Sequence, residues 1–209
     1  MHQDFYHVPT VHPGYCEVSR FDDHDRSQGD GMYLCHVTYP LTNAGSALDL
    51  DKFPMMPGLE GTKHAKTGWF HLHFPNMFYF LLPHSFFAVI IEPTGPTTST
   101  EHVRLMVHQD SLEKAGETAE EAIQGIWEAY YKVNMEDFSI CEECQVGANV
   151  QAYKGGRMTW TLEENINRFH KMVASCMTGK AHEIPKADKV LSAFDRIPVL
   201  DKDNDQAEA

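Results

Sequence analysis

Apolar and polar positions repeat with two different periods along this chain, and the change of period divides it. Between residues 67 and 109 short aromatic and β-branched runs follow one another: 67–74 (TGWFHLHF), 77–82 (MFYFLL), 86–92 (FFAVIIE) and 101–109 (EHVRLMVHQ). Pro75-Asn76, Pro83-His84-Ser85 and a Pro- and Thr-rich stretch over 93–99 separate them. Short runs with turn residues at close spacing predict an antiparallel meander. Residues 32–39 predict one more strand ahead of it. The polar, Gly-bearing stretch 20–31 predicts a loop, and 42–66, rich in Gly, Pro, Asp and Lys, predicts a lid or binding loop.

From Thr118 the period lengthens. Thr118-Ala119-Glu120-Glu121 has the S/T-x-x-E form of a capping box. Ala122, Ile123, Ile126, Trp127, Tyr130 and Val133 then recur at three- and four-residue steps, which predicts a helix with one apolar stripe. The stripe continues through Asp137, Ile140, Cys141 and Cys144 and so carries a carboxylate inward. An unpaired buried carboxylate is costly. The spacing therefore calls for a strong partner at Asp137: a bound cation, a nearby Arg, or else a helix phase different from this one. Glu136, rotated roughly 100° on the wheel, is expected to face out. A second S/T-x-x-E sequence, Thr161-Leu162-Glu163-Glu164, opens another amphipathic helix bearing Leu162, Ile166, Phe169, Val173 and Met177, expected to pack on the sheet. Residues 201–209 (DKDNDQAEA) read as a solvated tail. The whole predicts one α+β domain over 1–200.

Composition narrows the function classes. The chain has 209 residues, 42% apolar and 22% charged, with a formal net charge of −13. Those fractions are those of a globular domain. The negative balance argues against nucleic acid or an anionic membrane as partner. No apolar run approaches the roughly 18 residues of a transmembrane helix. The N-terminus lacks a basic region followed by an apolar one, so no signal peptide is expected. Five Cys without a disulfide-framework spacing fit a reducing cytoplasm.

The N-terminal segment Asp4-Phe5-Tyr6-His7-Val8-Pro9-Thr10-Val11-His12 carries the candidate chemistry. Two imidazoles and a carboxylate with open positions are the ligand set of non-heme Fe(II) oxygenases. Asp4 and His7, three apart, can share a helix face. His7 and His12, five apart, would diverge by roughly 140° on a straight helix of about 3.6 residues per turn. They converge only if the helix breaks between them, and Pro9 is the expected break. A His pair at this spacing is by itself weak evidence, and a third ligand has to come from elsewhere. Cys141-Glu142-Glu143-Cys144 has no partner motif for a zinc site and reads as two ordinary helix cysteines. His71 and His73 share a strand face and read as pocket-lining or half-exposed polar groups. A hydrolytic zinc site is disfavoured, because no H-E-x-x-H occurs.

Taken in order along the chain, these segments resemble the catalytic domain of Rieske-type ring-hydroxylating oxygenase α subunits. Asp4, His7, His12 and Pro13 match that family's (D/E)-x2-H-x4-H-P motif. Glu136 to Gly147 matches its E-D-x3-C/x-E-x2-Q-x-G segment. Phe74-Pro75-Asn76, the turn Pro93-Thr94-Gly95-Pro96 and Arg168-Phe169-His170 are similar to further family segments. The resemblance implies His7, His12 and Asp137 as ligands of a mononuclear iron. It implies Asp4 as the bridging acid that couples this iron to a Rieske cluster on a neighbouring subunit. It also implies a START-like helix-grip fold, with an antiparallel sheet wrapped around a long C-terminal helix and a pocket above the iron, and a homotrimer.

The chain departs from the family in having neither the C-x-H nor the C-x2-H of a Rieske cluster, which takes two Cys and two His. The [2Fe–2S] centre and its ferredoxin or reductase donor are therefore expected on a missing domain or a partner, with the chain N-terminally truncated relative to the family. The leading expectation is an O2-dependent oxygenase of a small organic, possibly aromatic, substrate, acting by hydroxylation or oxidative demethylation. The alternative is a START-like binding module of the same fold without redox chemistry.

Overall fold

The computed structural model describes residues 3–17, 19, 25–28, 31–39, 53–159 and 162–180. Its centre is a six-stranded sheet in which each strand pairs antiparallel with the next in sequence. The strands are β1 (Asp25–Gln28), β2 (Tyr33–Thr38), β3 (Gly68–His73), β4 (Met77–Leu81), β5 (Phe86–Pro93) and β6 (Ser99–Met106). The meander expected from the aromatic runs is therefore present. β6 begins two residues earlier than its pattern suggested. β1 is a correction, since it lies inside the expected loop 20–31. It pairs along its length with β2, from Asp25 opposite Val37 to Gln28 opposite Leu34.

Register separates the two faces. Leu34, Leu72, Phe78, Val89 and Val103 form one row across β2 to β6, and His36, Phe70, Phe80, Phe87 and Leu105 form another. Because side chains alternate along a strand, both rows share one face, and this face carries the core. The opposite face holds Cys35, His71, Tyr79, Ala88 and Arg104 in its central row. His71 and His73 therefore point away from the core, in keeping with their reading as pocket-lining or half-exposed groups.

Two helices cover the core face. The 30-residue α4 (Ala119–Ala148) sets Ile123, Ile126, Trp127 and Tyr130 against the sheet, and Tyr130 stacks on Phe87 with ring centroids 4.6 Å apart. The 14-residue α5 (Glu164–Met177) adds Phe169 and Met172. The long helix is thus the one in mid-chain, and α5, the last helix among the described residues, is shorter. A one-turn helix α1 (Val8–Val11), a second, α2 (Pro13–Cys16), and α3 (Gln109–Ala115), which leads into α4, complete the α-helices among the described residues.

Neither capping box forms as expected. Thr118 has helical backbone angles, because the chain enters α4 straight from a 3-10 turn over Gly116–Thr118. Its hydroxyl donates back to the Ala115 carbonyl (3.0 Å) instead of accepting from the helix. The N-cap of α5 is Glu163, whose carboxylate accepts from Thr159 N (2.6 Å) and Thr159 Oγ1 (3.2 Å), while Thr161 lies outside the described residues. The inward stripe also ends sooner than expected. Residues 141–150 are all exposed, Cys141 and Cys144 included, because the last turns of α4 project past the sheet. Of the expected loop 42–66, the described part buries Phe53 in the core and bonds Met56 N to the Pro83 carbonyl (2.8 Å). The tail 201–209 lies outside the described residues.

The core assignment has a direct check. Phe87 is 2% exposed beneath Tyr130. Phe87→Ala should lower unfolding free energy by about 3–5 kcal/mol in urea denaturation. Met177→Ala, at a site 83% exposed, should change it by less than about 0.5 kcal/mol.

Candidate metal centre

The N-terminal segment reaches the core by three anchors. Gln3 Nε2 donates to the Phe70 carbonyl (3.1 Å), Asn165 Nδ2 donates to Gln3 Oε1 (2.9 Å), and Phe5 N donates to the Leu162 carbonyl (3.2 Å). Phe5 sets its ring edge-on to His36 at 4.5 Å, and His36 stacks on Phe70 at 4.6 Å. The segment is thereby held between β2, β3 and the start of α5. None of Gln3, His36 or Asn165 carried a sequence signal, because each is a single polar residue whose partners are remote in the chain.

The two histidines converge by a route different from the expected one. His7 is the N-cap of α1, and Pro9 sits in its first turn, where a missing N–H and a fixed φ are tolerated. Pro9 therefore does not break the helix. The break comes at His12, with φ −119° and ψ 57°, because the residue before a proline is pushed out of the α region and Pro13 follows. Leaving the helix there re-aims the His12 ring, and the two imidazoles stand edge to face with centroids 5.1 Å apart. Asp4 is not on a shared helix with His7. Its Oδ1 accepts from Tyr6 N (2.7 Å) in a tight turn ahead of α1, which leaves Oδ2 3.3 Å from His7 Nδ1.

Both rings then meet one carboxylate from α4. His7 Nε2 lies 3.4 Å and His12 Nε2 2.9 Å from Asp137 Oδ1. Asp137 is buried, as the stripe required, and its strong partners are these imidazoles. Glu136 corrects the outward expectation: its Oε2 lies 2.8 Å from His12 Nδ1. A helical wheel gives the direction of a Cα–Cβ bond but not the reach of a side chain one methylene longer than aspartate. Each ring thus has Nε2 toward Asp137 and Nδ1 toward a second carboxylate.

Ligand atoms of His7, His12 and Asp137 all lie within 4.8 Å of one another. Three donors each about 2 Å from one ion stand within about 4 Å of each other, so the group is near the size of a coordination triad. Two imidazole nitrogens and one carboxylate oxygen suit a first-row divalent ion, and iron in particular when other positions stay open. A small chamber of about 80 Å³ touches all three, with Asp4, Tyr15, His36 and Phe70 in its wall. A larger pocket of about 370 Å³ shares only Asp137 with them and is otherwise formed by residues including Phe78, Ile91, Glu101, Asn134 and Phe138. In it, Glu101 accepts from Asn134 Nδ2 at 2.6 Å.

Electrostatics follow from this packing. Burial pulls the pKa of His7 down, but Asp137 and then Asp4 outweigh it and hold the value above the ordinary 6.5. For His12 burial again lowers it, Asp137 and Glu136 raise it, His7 opposes them, and the net is also upward. Burial lowers His71, and neighbouring His73 adds to that.

The family described as "Ring hydroxylating alpha subunit (catalytic domain)" matches residues 1–179. No curated protein matches the chain. Among solved structures, one described as a quaternary ammonium Rieske monooxygenase, with insights into carnitine oxidation by gut microbiota and inter-subunit electron transfer, is similar at 15% identity and a TM-score of 0.58. The likeness covers 83% of this chain and 44% of that one, so the chain spans less than half the length of that relative and the likeness speaks for fold. No described helix is long and apolar enough to cross a membrane.

The raised histidine pKa values fix a pH dependence for the metal-free protein. A folded-state pKa above the unfolded one gives stability that is complete below the unfolded value and is lost as pH rises through the folded value. The urea midpoint of metal-free protein should therefore fall as pH rises above the ordinary histidine value of 6.5. Asp137→Asn should flatten that slope, because it removes the charge that both rings share.

Proposed function

The chain belongs to the catalytic-domain family of ring-hydroxylating α subunits, and from that premise we propose that it is the iron-bearing part of a Rieske-type non-heme oxygenase. The observation that carries the reading is the convergence of His7 Nε2 and His12 Nε2 on Asp137 Oδ1. His7, His12 and Asp137 would hold one Fe(II), and the ion supplies dioxygen activation when bound. The chain's own residues do the rest. Glu136 holds the His12 ring by Nδ1, Asp4 stands 3.3 Å from His7 Nδ1, Phe5 and His36 wall the chamber, and the pocket beyond Asp137 takes a small organic substrate. The substrate need not ligate the ion. The products in view are those of dioxygenation, monooxygenation or oxidative demethylation, and an aromatic or quaternary ammonium compound belongs among the first substrates to try.

Electrons would come from a Rieske [2Fe–2S] centre on another domain or subunit, fed by a ferredoxin or reductase. Asp4 is our bridging acid. It lies 3.3 Å from His7 Nδ1 and is more exposed than that ring, 19% against 11%, which supports a role between the ligand and an incoming partner. A homotrimer in the cytoplasm and a sheet gripping the helix from Glu164 complete the reading. The one alternative is a START-like binding module of the same fold without redox chemistry.

Anaerobic Fe(II) reconstitution with metal quantification separates the two. The expected result is one iron per chain, lost in His7→Ala; wild type that takes up no iron leaves the binding module standing. Asp4→Asn should keep its iron and lose electron-driven turnover with a Rieske donor supplied in trans. Asp137→Asn should lose the iron. The reverse pattern would show that the two carboxylates have been assigned the wrong way round.

A further inference from the structure

Glu136 and Asp137 are consecutive on α4 and grip the same imidazole from opposite sides, Glu136 Oε2 at 2.8 Å from Nδ1 and Asp137 Oδ1 at 2.9 Å from Nε2. We propose that Glu136 is the positioning residue of the centre: it accepts a hydrogen bond from His12 Nδ1–H and so fixes the tautomer that presents Nε2 as a metal donor. This rests on the metal-centre reading above.

The geometry separates this role from three others. Nδ1 and Nε2 lie on opposite sides of an imidazole, so a carboxylate bonded at Nδ1 cannot share an ion with Nε2, and Glu136 is not a fourth ligand. It is not a structural ion pair of the exposed kind, because the His12 side chain is 5% exposed even though Glu136 is 34% exposed. It is not a duplicate of Asp4 either. His7 Nδ1 stands 3.3 Å from Asp4 without an aligned hydrogen bond, whereas the 2.8 Å contact of Glu136 is short and charge-assisted. Of the two rings, His12 is the firmly held one, and Glu136 holds it. A carboxylate behind a ligating imidazole fixes ring orientation and raises donor basicity, and its loss typically costs about 10- to 100-fold in metal affinity.

The test is Co(II) affinity of the full chain by chelator competition, with the Co(II) absorption spectrum and urea midpoint recorded for each variant. Glu136→Ala should bind about 10- to 100-fold more weakly than wild type, with a shifted ligand-field spectrum and a wild-type fold by circular dichroism. Glu136→Gln keeps an acceptor but loses the charge, so its affinity should fall between the two. With Zn(II) bound, the His12 Nδ1 proton should give a slowly exchanging signal in ¹⁵N-resolved NMR of wild type that is absent from Glu136→Ala. Affinity within about twofold of wild type in Glu136→Ala, or an unchanged Nδ1 signal, overturns the assignment while leaving the triad intact. Retention of Co(II) by Asp137→Ala that is lost in the Glu136→Ala, Asp137→Ala double variant overturns it by making Glu136 a ligand. Wild type that binds no Co(II) sinks the metal reading itself, and this proposal with it.

Discussion

A buried carboxylate in the middle of a long helix is the constraint on which the rest of this molecule turns. Asp137 is removed from water on α4, and its nearest ring nitrogen belongs to a residue 125 positions earlier. Removing one partner of a buried charged pair typically costs about 3–5 kcal/mol, so the N-terminal segment and α4 cannot part cheaply. The segment in turn is tied to α5 through Gln3 and Asn165, and Asn165 Nδ2 also reaches the Cys35 carbonyl on β2 at 3.2 Å. A chain of polar contacts therefore ties residues 3–12 to α4 through two imidazoles and to β2, β3 and α5 through Gln3 and Asn165. The apolar rows of the sheet fill the core without specifying where residues 3–17 lie. The polar chain supplies that specification.

What could be read from sequence followed from period and punctuation. β3 to β6 were legible because aromatic and β-branched runs ended at Pro or Asn, and the inner rows are those same aromatics in register. β1 was not, because Asp-Arg-Ser-Gln offers no apolar alternation, and it joins the sheet through backbone bonds at an edge, where polar strands are common. Thr118 looked like a cap because side-chain identity says nothing of backbone angle, and the preceding 3-10 turn sets that angle. The extent of α4 was legible in its stripe as far as Asp137 and Ile140. Beyond them the helix outruns the sheet, and Cys144 keeps its place in the pattern with nothing beneath it.

The site was legible in membership more than in arrangement. His7, His12 and Asp137 could be named from residue type, helix phase and family likeness together. How they meet depended on which proline does the breaking, and the two prolines play opposite parts. Pro9 begins a turn and is harmless there, while Pro13 acts on the residue before it. Glu136 was hidden because a wheel treats neighbouring positions as facing different ways. His36 and Tyr15, which wall the small chamber, lie on β2 and on α2, and no local pattern marks either.

The two cavities divide the labour that an oxygenase centre would need, and their sizes say how. The chamber of about 80 Å³ beside the imidazoles is the smaller of the two and falls below the volume of ordinary small-molecule sites. The pocket of about 370 Å³ is within the range of small-molecule sites, about 300–1,000 Å³. Asp137 is the residue common to both walls. Under the oxygenase reading, a substrate must then approach from the side of α4 and the β5–β6 end of the sheet, past Phe138 and Ile91. Asp4 stands in the wall of the chamber and is absent from that of the pocket. Substrate and electrons would enter from different sides, so a partner docked at Asp4 leaves the substrate path open. Asp4 lies ahead of α1 and lines the chamber alone, whereas Asp137 on α4 lines both cavities, and the proposed separation rests on that difference.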